Sequence, residues 1–128
     1  MRAVIVTFFL LVLLGLTAFV QVNILPFSVK VGGQEATAAP GADHAVVAQP
    51  VAANAALEFG ASGMVIVNIV KSSPEAQPVA GTPTIVIVAQ NAKTSLDQSV
   101  SKQELVPGTY LMNAVAAGKT ARVVFSVK

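Results

Sequence analysis

Residues 3–22, AVIVTFFLLVLLGLTAFVQV, run without one charged side chain and with a single amide, Gln21. A helix rises about 1.5 Å per residue, so a run of this length matches the roughly 30 Å of a bilayer's hydrocarbon core. Lipid offers the backbone no hydrogen-bond partners, and a helix is the form in which such a segment satisfies its own. The run predicts a transmembrane α-helix at the N-terminus. It should end by Leu25, because Pro26 lacks a backbone N–H and biases the residue before it away from helix.

A cleaved secretory signal is the competing reading. Such a signal has an apolar stretch of about 7–15 residues with a small-x-small site directly after it. Here the run is longer, Leu16-Thr17-Ala18 places leucine where a small residue is needed, and Ala36-Thr37-Ala38 lies too far downstream. A retained single-pass anchor is therefore expected. Arg2 precedes the span, whereas only Lys30 follows it before Lys71. Positive charge stays on the cytoplasmic side, which predicts a cytoplasmic N-terminus and an extracytoplasmic C-terminal part, periplasmic on the inner membrane of a bacterium. Within the span, Ala3 and Thr7 lie four apart and Gly15 and Ala18 three apart, a spacing of small residues that lets a second helix approach closely.

The hydrophobic fraction of 54% mixes this run with a remainder rich in Val and Ala, so it does not describe one large core. The chain has no cysteine, which excludes disulfides, zinc–thiolate sites, thiol catalysis and a lipobox anchor. Its eight Lys and Arg residues are scattered singly and give a formal charge of only +2, which argues against a nucleic-acid-binding face.

Residues 27–31 alternate apolar and polar, the period of a strand with one covered face, until Gly32-Gly33 interrupts them. Five residues cannot hold themselves as a strand in water, so the stretch is expected to pair with the distal domain, to pair with another protein or to lie at the headgroup boundary, and Phe27, Val29 and Val31 are candidate contacts for a partner. Residues 32–54 are poor in large apolar groups and punctuated by Pro40 and Pro50. They read as an extended linker that cannot offset its own ordering entropy, with a reach of up to roughly 70 Å. The domain organisation expected is an anchor over 1–25, a juxtamembrane strand and linker over 26–54, and a folded domain over 55–128. The only histidine, His44, follows Asp43 in this linker, where an exposed side chain is expected in preference to a metal ligand.

Beyond residue 54 the pattern changes to short apolar runs between turn residues: 56–59, 64–70, 84–89, 109–115 and 120–127. Their β-branched content and length favour strands, and the spacing suits a small antiparallel β-sandwich, so the fold class expected is mainly β behind one helix. In the last run Val123, Phe125 and Val127 share a face opposite Arg122, Val124 and Ser126, and only one side of it needs covering. The runs MVIVNIV and TIVIVA are apolar on both faces, so either they are central strands lying under loops or their outer face is covered by something else, and in the second case Val65, Val67, Ile85 and Ile87 are further candidate contacts for a partner. Residues 93–105 suit either a short helix capped by Ser95 and Gln98 or a strand and loop, with the strand favoured.

Leu105-Val106-Pro107-Gly108-Thr109-Tyr110 sets a tight turn, with Pro fixing one dihedral and Gly accepting a positive one, before a strand that begins at tyrosine. This resembles the Leu-x-Pro-Gly-x-Tyr lead into a late strand of immunoglobulin-like and transthyretin-like extracellular modules. The resemblance covers six residues and implies a structural role for Pro107, Gly108 and Tyr110, with the tyrosine hydroxyl bonded to nearby backbone. The apolar helix followed by Asn23 and by Pro26 to Val31 also looks like the start of small inner-membrane proteins of the lipopolysaccharide assembly protein A type. Their second hydrophobic segment and helical tail have no counterpart in this sequence.

A nucleophilic triad needs a base beside its nucleophile, and the sole histidine lies in the linker. Glu58, Glu75, Asp97 and Glu104 fall in separate segments, as solvating charges do, and Gly60-Ala61-Ser62-Gly63 lacks the length and lysine of a phosphate loop. No catalytic, cofactor or metal residues are assigned. The expectation is a non-catalytic accessory subunit of a larger membrane assembly, such as a respiratory or photosynthetic complex, docked through helix, linker and sandwich. The alternatives are a pilin-like filament subunit, although the usual prepilin processing site is missing, and a membrane-tethered ligand-binding module.

Overall fold

The computed structural model describes residues 25–38 and 42–128. The expected anchor, with Ala3, Thr7, Gly15 and Ala18, lies outside the described residues. Among the described residues no helix is long and apolar enough to cross a membrane. The described residues form ten strands in order: β1 (Val29–Val31), β2 (Gln34–Glu35), β3 (Thr37–Ala38), β4 (Ala45–Val46), β5 (Ala56–Phe59), β6 (Val65–Lys71), β7 (Ile85–Ala89), β8 (Lys93–Ser95), β9 (Gly108–Ala116) and β10 (Lys119–Val127). They form two sheets, one ordered β2-β1-β5-β8 and the other β3-β4-β10-β9-β6-β7.

The hairpin of β9 and β10 is the longest pairing and runs from Lys119 opposite Ala116 to Val127 opposite Gly108. Its two-residue turn, Ala117-Gly118, has positive φ at both positions, 51° and 76°. That is the primed geometry whose twist matches paired strands, and Gly118 takes it without steric cost. On β10 the residues Ala121, Val123, Phe125 and Val127 point into the core, where period-two alternation puts them. β6 packs beside β9 with Val65, Val67 and Ile69 inward, and β7 adds Ile85, Ile87 and Ala89. Val29, Val31, Leu57, Phe59 and Leu96 from the side of the smaller sheet join the same cluster. The two sheets thus face each other across one apolar layer, a sandwich arrangement.

The segment read as an extended linker is part of this fold. Gly32 and Gly33, at φ 59° and 80°, make a two-residue hairpin turn that pairs Val31 with Gln34. β1 also pairs with β5, β3 pairs with β4, and β4 runs parallel to β10 with Ala45 opposite Val123. Ala36, Ala45, Val47, Val51 and Ala55 are buried in the main cluster. Small residues suffice here because each lies over a strand that supplies the larger groups, so the segment needs no large side chain of its own.

The last strand differs from expectation on its outer side. Val124 is buried with Leu111 and Ala76 in a second, smaller cluster. The excursion after β6 folds back over β9 and β10, held by the Ser72–Pro78 bridge and by the bond from Val79 N to Lys71 O. Residues 93–105 contain no helix: after β8, Ser95 Oγ donates to the Asp97 carboxylate, and Ser99 bridges to Ile87 on β7. The Ser95 hydroxyl holds the Asp97 carboxyl below its ordinary value.

Candidate functional site

The two sheets differ on their outward sides. Across the smaller sheet, Glu35, Lys30, Glu58 and Lys93 are successive register partners, all exposed, an alternation of charge that suits a face in water. Across the larger sheet, register aligns Val88, Ile66, Val115 and Thr120 in one row and Val86, Asn68, Asn113 and Arg122 in the next. A third row, Val70, Leu111, Val124 and Val46, lies partly under the Ala76 turn. The uncovered part of this face is therefore apolar at Val86, Val88, Ile66 and Val115. Ile66 is 42% exposed and the three valines are half-buried.

The uncovered apolar residues are not the ones expected from the sequence. Val29, Val31, Val65, Val67, Ile85 and Ile87 are all buried in the core, facing the opposite sheet. None is free to meet a partner. Of the expected contacts among the described residues, Phe27 alone is half-buried, with its ring edge-on to Phe59 at 6.4 Å between centroids. The physical reason is parity. A strand apolar on both faces gives no sign of which alternate set turns inward, and the inward set here is the one that was assigned to a partner.

On the same outer face, Asp43 accepts from Arg122 Nη1 at 2.6 Å through one oxygen and lies 3.1 Å from His44 Nδ1 through the other. Arg122 Nη2 also donates to Ala76 O at 3.3 Å, so one guanidinium ties the approach to β4 to the turn over β9 and β10. The hydrogen bond from His44, then the positive charge of Arg122, hold the Asp43 carboxyl below its ordinary value. The His44 side chain is only 12% exposed, contrary to the expectation of an open linker histidine. No sequence signal brings together positions 79 apart, and only the parallel pairing of β4 on β10 does so. Among the described residues no group of three or more His, Cys, Asp or Glu side chains is placed to hold a metal ion. The cluster is built as a clamp.

Tyr110 sits where β9 begins. Its hydroxyl donates to Val106 O at 2.6 Å and its ring stacks on Phe125 at 5.7 Å, across the register pair. Burial pushes the phenol up, and the bond to Val106 opposes this. Beside it opens a cleft of about 330 Å³ bounded by Ile69, Lys71, Pro83, Ile85 and Glu104. With the tyrosine hydroxyl already engaged, the cleft offers an apolar floor and one charge of each sign at its rim. No family model, no curated protein and no solved structure matches this chain, which leaves its own geometry as the guide to function.

Proposed function

We propose that this chain is a non-catalytic, single-pass accessory subunit of a larger membrane assembly. Its N-terminal apolar run enters the bilayer, and its sandwich, of the immunoglobulin-like or transthyretin-like extracytoplasmic kind, docks on a neighbouring subunit. The observation that carries this reading is the contrast between the two outer faces: alternating charge on one sheet, and Val86, Val88, Ile66 and Val115 on the other. An apolar sheet face left in water favours association, and the occupant that fits is a protein anchored in the same bilayer. Two chains tethered in one plane meet at a high effective concentration, so a modest patch suffices.

The test is affinity recovery of the full chain from gently solubilised membranes, in parallel with Ile66→Lys and Val88→Lys. Stoichiometric partners with the wild type and their loss with the variants support the reading. Recovery of the wild type as a lone monomer in several mild detergents refutes it. A second reading, a tethered ligand-binding module, draws on the cleft beside Tyr110. It predicts that Lys71→Ala weakens binding of a small carboxylate-bearing peptide while partner recovery stays intact.

A further inference from the structure

The strand registers define which end of the sandwich the chain enters from. Leu25 and Phe27 pack against the core just before β1, and Val29 at the start of β1 pairs with Phe59 at the end of β5. Glu58 pairs with Lys93, Val65 with Ala89, Ile66 with Val115, and Ala116 with Lys119. The same end therefore gathers residues 25–28, 60–64, 90–92 and the Ala117-Gly118 turn. The short crossovers at 60–64 and 90–92 keep the ends of the two sheets together.

Three Cα steps separate Val22, the last residue of the apolar run, from Leu25, already on the core. At about 3.8 Å per step that gap spans about 11 Å. The long linker expected from the sequence would have set the sandwich well away from the membrane, but its described residues carry β2, β3, β4 and the Val51–Val127 bridge within the sandwich. An anchor inserted through residue 22 leaves the domain no room to stand off.

We propose that this end of the sandwich rests on the phospholipid headgroup layer, with Met64 reaching into it and Lys93 and Lys119 beside the lipid phosphates. The inference rests on the membrane reading above and goes beyond it by assigning an orientation. Chemistry agrees with the geometry. The loops LPFS, GASGM, QNA and AG at this end contain no carboxylate, and the nearest on the strands are Glu58, the register partner of Lys93, and Glu35, which lines a hollow with Leu25 and Phe27. Asp43, which lies nearby, is held by Arg122 and His44. Met64 is 52% exposed, and both lysines are exposed. Lysines near an anionic surface are drawn to it. The opposite end carries Asp97, Lys102, Glu104 and Lys128, a mixed and strongly hydrated set.

The test uses the full chain reconstituted into vesicles containing anionic phospholipid and a lipid with a nitroxide quencher on its headgroup. The chain has no cysteine, so Met64→Cys, Asn91→Cys and Ser101→Cys each give one site for an environment-sensitive fluorophore. Ser101 follows the Ser99–Ile87 bridge and the bond from Val100 N to Val86 O, level with Ile85 and its partner Ile69, four residues and about 13 Å along β6 from Val65, which puts the distal label beyond contact quenching. The expected result is a large loss of emission at positions 64 and 91 and none at 101. Flotation of the same vesicles reports insertion separately. A chain that floats while position 64 is quenched no more than 101 overturns the orientation and leaves the anchor standing. A chain that does not float overturns both.

Discussion

Val31→Ala separates two accounts of residues 26–54. Val31 is fully buried on β1, between β2 and β5. The substitution removes two methyl groups from the core. At about 0.8 kcal/mol for each buried carbon the transfer loss is about 1.6 kcal/mol, and the cavity left in a β layer that cannot collapse raises the total to roughly 2–3 kcal/mol. If the segment were a solvated linker, the same change would cost no more than about 0.5 kcal/mol. Urea unfolding of residues 25–128, followed by circular dichroism, distinguishes them. With a slope of about 1–1.5 kcal/mol per molar for a domain of this size, the midpoint should fall by about 2 M. Val47→Ala, buried just beyond β4, should behave in the same way. Midpoints within about 0.3 M of wild type for both would refute the claim that this segment is core.

Tyr110→Phe keeps the stack on Phe125 but strips the Val106 carbonyl of its donor, so it should cost about 1–2 kcal/mol in the same assay without altering partner recovery. Asp43→Asn should reduce stability at neutral pH but not in strong acid. The folded carboxyl titrates below its ordinary 3.8, so its contribution is present above that value and lost as pH falls through the folded one. The gap between the two proteins, read from thermal midpoints across pH 2 to 7, should close below about pH 4. Gly60→Ala should destabilise by about 1 kcal/mol, because the added methyl would collide with Ser28 Oγ and sit 3.2 Å from the Ser28 backbone nitrogen. Ser28→Ala in the same chain should restore part of that loss, as thermal unfolding would record.

The strands after residue 54 were legible because β-branched runs bounded by Gly and Pro carry their own signal. Observed β5, β6, β7, β9 and β10 fall within a residue or so of the runs read from sequence. The segment before residue 55 was not legible in that way. Its strands are two or three residues long, and Ala36 and Ala45 look like linker composition until a neighbouring strand lies over them. Gly32-Gly33, read as an interruption, is the turn of a hairpin, a role that only the pairing of Val31 with Gln34 reveals.

Local chemistry thus determined that residues 3–22 form an uncharged apolar run, that the remainder is mainly β, and that a Pro-Gly turn leads into Tyr110. These follow from neighbours in the chain, where side-chain type and spacing act directly. Tertiary structure decided which face of each two-sided apolar strand turned inward, and it joined Asp43 to Arg122. It also drew the supposed linker into the sheets, which brings the sandwich to within a few residues of the apolar run. Those outcomes depend on pairing between distant strands, and a single residue of register reverses a face.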